Sequence, residues 1–220
     1  MIQLIYVADP MCSWCYGFGP ELQALLEMMP DANLDIIVGG LRAYNQEVMS
    51  EEQRQTIRGH WKHVAEATGL PFAATGMTQA GFKYDTEPAC RTVVATKMLA
   101  DHLSPVQLLS VFRAIQHAFY AEGKDVTDLR LLSDIAVRAL NETDGAESFD
   151  ASSFYETLVS PLCMADTRQE FEQCQRWGIR GFPALLLVHN NALHMIASGF
   201  TKRAALVSAI EEIQKNGRLL

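Results

Sequence analysis

The chain has 220 residues, 49% of them apolar and 20% charged, a formal net charge of −8 and five cysteines. That length and apolar share suit a soluble globule with a substantial core, and the negative balance offers nothing to nucleic acid or an anionic membrane. No apolar run reaches the ~18 residues of a membrane helix, and an odd number of cysteines does not build a secreted disulfide framework.

Ile2 to Val7 (IQLIYV) reads as a buried strand. Because this strand begins at residue 2, no basic segment or signal-type apolar stretch precedes it. Met1 argues against a trimmed precursor, and the expected compartment is the cytoplasm. Asp9-Pro10 then punctuates the chain, since the residue before proline is pushed out of the helical region. Leu22, Leu25, Leu26 and Met29 recur at the spacing of one helix face. Pro20, inside that helix, is expected to kink it or to mark a fresh first turn. Cys12-Ser-Trp-Cys15 therefore falls at a helix N-terminus, with Cys15 about one turn inside.

Leu34 to Val38 (LDIIV), ending at Gly39-Gly40, reads as a second buried strand. A β-α-β opening of this kind means parallel strands with a right-handed crossover. The pattern then turns helical. Ser50 and Gln53 form a capping box ahead of Ile57, Trp61, Val64 and Ala65, with Gly69 closing the helix. Gly69 to Phe82 is a loop, and Thr86 with Pro88 opens a helix carrying Val93, Val94 and Met98. Ser104-Pro105 opens another with Leu108, Phe112, Ile115 and Phe119, and Thr127 starts one with Leu132, Ile135, Ala136 and Ala139. Phe154 and Leu158 mark a shorter helix. Thr167 and Glu170 are expected to form a capping box ahead of Phe171 and Cys174, with Gly178 as the stop. Ala184 to Val188 and Leu193 to Ala197 read as a hairpin around Asn190-Asn191, residues that tolerate positive φ. Beyond Gly199 and Thr201, a last helix places Leu206, Ile210 and Ile213 on one face and ends at Gly217.

The chemistry concentrates at Cys12 and Cys15. A thiolate, not a thiol, attacks a disulfide, and the free N–H groups and dipole of a helix N-terminus stabilise one there. Cys12 is expected exposed at the tip, with Cys15 pointing inward behind it. Asp9 opposes the thiolate; at ~8 Å and an effective dielectric near 20 its charge costs about 2 kcal/mol, similar in size to the gain. A zinc site needs a second cysteine pair or histidine partners at ligand spacing. Cys90, Cys163 and Cys174 stand singly, so no metal is expected. His60 and His63 share a helix face without a third ligand, and His189 and His194 flank the hairpin turn; all four read as surface residues. Cys90 reads as core, Cys163 and Cys174 as core or an accessory disulfide, and Glu87 and Arg91 as paired helix neighbours.

A β-α-β segment with Cys-x-x-Cys at the start and β-β-α at the end is the thioredoxin arrangement. The chain resembles the DsbA family, which carries a helical domain between those halves. The resemblance covers nearly the whole chain. It rests on Asp9-Pro-Met-Cys12-Ser-Trp-Cys15-Tyr-Gly-Phe18, Glu87-Pro-Ala-Cys-Arg91 and Gly178-Ile-Arg-Gly-Phe-Pro-Ala184. It looks most like the signal-less, FrnE-like branch described as predicted protein-disulfide isomerases. The implied fold is α/β, a thioredoxin-like domain of residues 1–45 and 178–220 with an all-helical insertion at 46–177. A cis Phe182–Pro183 bond beside the sulfurs is also implied, leaving the Phe182 backbone to pair with an extended substrate. The expected activity is thiol–disulfide exchange, with Cys12 attacking and Cys15 resolving. Phe182, Pro183 and Trp14 would contact substrate, although Trp14 equally suits a shield over Cys15. Protein or peptide thiols and disulfides, with a reductase or glutathione, are the expected partners. No cofactor is expected beyond the redox-active disulfide, with glutathione as a candidate co-substrate. The Ser13-Trp14 dipeptide leaves oxidant, reductant and isomerase open. Two other readings are a glutathione-dependent isomerase or transferase, of the 2-hydroxychromene-2-carboxylate isomerase or kappa-class type, and a redox-sensing adaptor.

Overall fold

Four strands form one sheet in the order β2-β1-β3-β4: β1 (Gln3–Ala8), β2 (Asn33–Val38), β3 (Ala184–His189) and β4 (Ala192–Ser198). The computed structural model describes residues 2–99, 103–143 and 148–216. β1 pairs with β2 in parallel and with β3 antiparallel, and β3 pairs antiparallel with β4. The parallel pair is joined through α1 (Ser13–Met28), the crossover that the opening pattern required. Asn190 and Asn191 adopt φ of 51° and 59°, closing the β3–β4 hairpin with two left-handed residues.

Between β2 and β3 lie six helices: α2 (Glu51–Thr68), α3 (Glu87–Leu99), α4 (Pro105–Tyr120), α5 (Leu129–Asn141), α6 (Ala151–Leu158) and α7 (Pro161–Arg176); α8 (Arg203–Asn216) follows β4. Capping boxes at Ser50–Gln53 and Ser104–Gln107 start α2 and α4, and left-handed Gly69 ends α2. Asp128, one residue past Thr127, caps α5. Thr86 precedes α3, but its hydroxyl accepts the Arg42 N–H at 3.1 Å. Pro20 lies within α1, which continues through it. Gly217 lies outside the described residues.

α7 departs from the expected pattern. Ser160 caps it, so Thr167 and Glu170 sit inside the helix and form no capping box. The Thr167 hydroxyl instead bonds back to the Cys163 carbonyl at 2.7 Å, the competing use open to a mid-helix threonine. Cys163 and Cys174 lie on this one helix, eleven residues and hence about 16 Å apart along its axis, far beyond disulfide reach. Their thiols contact the Arg91 and Val38 carbonyls, respectively.

Side-chain alternation on the strands fills both faces of the sheet. Leu4, Tyr6, Leu34, Ile36, Leu185 and Leu187 face a large core shared with α1, α4 and α8. Val7, Ala184 and Leu186 form a smaller cluster with Cys174 and Ile179 at the end of α7. β2 is an edge strand, and side chains close its free edge. Glu170 accepts the Val38 N–H at 2.8 Å, and Lys97 donates to the Ile36 carbonyl at 2.7 Å. The two are paired at 2.5 Å. α3 and α7 thus supply the partners that a neighbouring strand would have given.

Candidate active site

Cys12 is the N-cap of α1, with φ −90° and ψ 118°, and no side chain caps the helix. Its carbonyl takes the Tyr16 N–H at 3.1 Å, so the N–H groups of the first turn have no partner within the helix. Those groups meet the Cys12 sulfur. The Cys15 thiol, followed by the Cys15 and Trp14 N–H groups, lowers the Cys12 pKa, opposed by burial and by Asp9. Cys15 is pushed well above the ordinary thiol value, chiefly by burial and then by Cys12. Both are free thiols.

The Cys12 Sγ lies 3.6 Å from the Phe182 carbonyl, and the Phe182–Pro183 bond is cis. The helix tip and the loop before β3 therefore meet at the sulfur. Cys12 retains only 7% of its surface, less than a helix tip alone would leave, because the Phe182 backbone covers it; Cys15 is fully buried. Phe182 is half-buried and Pro183 buried. Trp14 is half-buried, and its ring packs 5.8 Å from that of Phe200, beside α1.

Asp9 has a different part from the one its charge suggested. Its side chain is wholly buried and accepts the Met11 N–H at 2.8 Å and the Leu41 N–H at 2.6 Å. The Cys90 thiol lies 3.5 Å away. Burial raises its pKa despite these donors. One carboxyl thus joins the motif turn, the loop after β2 and the start of α3.

Tyr84, which sequence reasoning missed, donates to the Met11 carbonyl at 2.5 Å from full burial. Tyr6 similarly reaches the Cys15 carbonyl at 3.3 Å. Nothing in the spacing of Tyr84 marks it, since it arrives from the loop before α3. Gly39 had a readable signal, a glycine pair where β2 ends beside the motif. The other candidates lie elsewhere. His60 and His63 are exposed on α2, whereas His189 and His194 are partly buried with ring centroids 6.2 Å apart. Arg91 and Glu87 form a buried pair at 2.9 Å, and Arg91 also donates to the Leu158 carbonyl at 3.0 Å. Among the described residues, no group of three or more His, Cys, Asp or Glu is placed to hold a metal, and no helix is long and apolar enough to cross a membrane.

The chain matches the family model of the DSBA-like thioredoxin domain over residues 3–211. No curated protein matches it by sequence. A proposed protein disulfide isomerase from Nitrosomonas europaea is 32% identical, with 98% of each chain covered and a TM-score of 0.85. The cytosolic disulfide reductase DsbM from Pseudomonas aeruginosa is 22% identical, with 99% of this chain and 100% of DsbM covered and a TM-score of 0.73. DsbM has also been solved with GSH. A 2-hydroxychromene-2-carboxylate isomerase shares the fold at 13% identity, with 99% of each chain covered and a TM-score of 0.65.

Proposed function

We propose, for a chain that belongs to the DSBA-like thioredoxin domain family, that it is a thiol–disulfide oxidoreductase acting on protein or peptide disulfides through Cys12 and Cys15. One observation carries the reading. A thiol of lowered pKa sits at a helix N-terminus, against the Phe182 carbonyl, with a second thiol of raised pKa behind it.

In this mechanism the Cys12 thiolate attacks one sulfur of a disulfide R–S–S–R′. The Cys12–S–S–R bond forms as R′–S⁻ leaves and takes up a proton. Cys15 then loses its proton and attacks the Cys12 sulfur, expelling R–S⁻. The substrate gains two electrons and the protein becomes the Cys12–Cys15 disulfide. Two thiol equivalents, from a reductase dithiol or from glutathione, return it to the dithiol; oxidation of substrate dithiols is the reverse. Burial keeps Cys15 protonated until the mixed disulfide forms, so Cys12 attacks first. Phe182 and Pro183 would line the substrate beside Cys12, and Trp14, packed on Phe200, would chiefly shield Cys15.

Residues 1–45 with 178–220 would be the redox domain, and 46–177 the insertion that supports it through Tyr84, Thr86 and Cys90. The Asp9-Pro-Met-Cys12 motif supports the FrnE-like branch. The cytosolic description of DsbM supports a cytoplasmic setting and GSH as a reductant.

Reduction of insulin disulfides by the purified protein tests the reading, with Cys12→Ser and Cys15→Ser variants alongside. Both should lose turnover, and only Cys15→Ser should accumulate mixed disulfides on Cys12. Full turnover by Cys15→Ser would reject the dithiol mechanism and favour a glutathione-dependent isomerase or transferase. A disulfide that forms but never turns over would point to a redox sensor.

A further inference from the structure

Two buried tyrosines bracket the Cys-x-x-Cys motif by donating to its backbone. Tyr84 holds the Met11 carbonyl at 2.5 Å, directly before Cys12, and Tyr6 holds the Cys15 carbonyl at 3.3 Å. The two anchors differ in what carries them. Tyr84 comes from the loop before α3. Tyr6 stands within β1, which is paired with β2 on one side and β3 on the other. Its ring packs 5.6 Å from that of Phe18 on α1 and 5.5 Å from that of Phe112 on α4, and the side chain is wholly buried. The resolving cysteine is thus tied to the sheet through a side chain with little room to move.

The bond is more than the backbone requires. Inside α1 the Cys15 carbonyl faces the N–H of Gly19, its helical partner, so the tyrosine adds a second donor. Burial, then the charges of Cys15 and Cys12, raise the Tyr6 pKa, so the hydroxyl stays protonated and donates. On Cys15 itself, burial, Cys12 and the Asp9 charge all oppose the thiolate. Resolution therefore starts from a thiol that is seldom ionised, and its rate rests on where the sulfur stands when it is. Misplacing a reacting group by ~1 Å costs up to about 10²-fold.

We propose that Tyr6 is a positioning residue for the second step of exchange, its hydroxyl holding Cys15 in place to attack the Cys12 sulfur while substrate is attached there. This role rests on the exchange reading above and deepens it, because attack by Cys12 does not need Tyr6.

Single-turnover reaction of the reduced protein with 5,5′-dithiobis(2-nitrobenzoate) separates the two steps. The Cys12 thiolate attacks the reagent, a Cys12–thionitrobenzoate disulfide forms and the first thionitrobenzoate anion leaves, in a phase that speeds up with reagent concentration. Cys15 then loses its proton to solvent and attacks the Cys12 sulfur. The Cys12–Cys15 disulfide forms and the second anion leaves, at a rate independent of concentration. Tyr6→Phe should slow the second phase roughly fivefold, the factor of one hydrogen bond, and leave the first unchanged. Tyr84→Phe removes a matching bond on the attacker's side and should leave the second phase unchanged. Equal slowing of both phases by Tyr6→Phe, no slowing of the second, or the same slowing of the second by Tyr84→Phe would overturn the role. A further measurement needs neither tyrosine variant. The Tyr6 hydroxyl proton, assigned by its contacts with the Phe18 and Phe112 rings, should give a slowly exchanging NMR resonance in reduced wild type. The same resonance should persist in Cys15→Ser with thionitrobenzoate trapped on Cys12, and its absence there would also overturn the role. A wild type that releases only one anion has no resolving step, so the exchange reading fails and takes the role with it.

Discussion

The Phe182 ring occupies the space in front of Gly39, where an added Cβ would fall within the ring. The end of β2 therefore seats the residue whose carbonyl meets the Cys12 sulfur, and only a glycine leaves room for it. Gly39→Ala should expel the ring and destabilise the fold by roughly 1–3 kcal/mol, the usual range for overpacking. Urea unfolding checks the stability, and the alkylation rate of Cys12 should rise as the Phe182 backbone moves away. Unchanged values for both would show that the ring is not held there.

The two cysteines should differ sharply in their pH dependence. The folded pKa of Cys12 is lowered, mainly by the Cys15 thiol, so its reaction with iodoacetamide should stay fast below the ordinary thiol range. Cys15, raised by burial, should resist alkylation there. A depressed thiol stabilises the folded reduced protein above its unfolded pKa, and that contribution is lost as pH falls through the folded value. Denaturant titrations of reduced wild type against Cys12→Ser should show that sign. Equal alkylation rates at the two cysteines would reject the asymmetry.

Asp9→Asn should separate the carboxyl's hydrogen bonds from its charge. An amide has one acceptor oxygen and cannot take both the Met11 and Leu41 N–H groups on separate oxygens as Asp9 does. The loss should be about 1–3 kcal/mol, the penalty for a buried donor left without a partner. The advantage of wild type over the variant should also vary with pH. Because burial raises the Asp9 pKa, that advantage is fully present below the unfolded value and is lost as pH rises through the folded one. Thermal melts across that range give the sign directly; an advantage that grows with pH would contradict it.

At the edge of β2, removing one partner should be worse than removing both. Lys97→Met leaves Glu170, 15% exposed, without its cation, and breaks the bond to the Ile36 carbonyl. The expected loss is about 2–4 kcal/mol, at the lower side of values for buried pairs because some water reaches both groups. Lys97→Met/Glu170→Leu should recover part of that stability, while leaving the Val38 N–H and the strand edge open to association. Chemical unfolding and light scattering read the two effects; a double variant weaker than the single one would contradict the pairing.

Much of this fold can be read in the chain because the informative patterns are local. The apolar runs around Leu4, Tyr6, Leu34 and Ile36, helical spacing through Leu108, Phe112 and Ile115, the capping box at Ser50 and the Ser104-Pro105 helix start depend on neighbours within a few residues. So does the placement of Cys12 and Cys15 at a helix N-terminus, which follows from Asp9-Pro10 and the helix face beyond it. The error at Thr167 arose because a capping-box pattern also occurs inside helices, where Glu170 is claimed by Lys97 and Val38. What only the tertiary structure decided depends on residues far apart in the chain meeting through packing. Leu41 and Cys90 reach Asp9, Tyr84 reaches Met11, and the Phe182 carbonyl covers the sulfur.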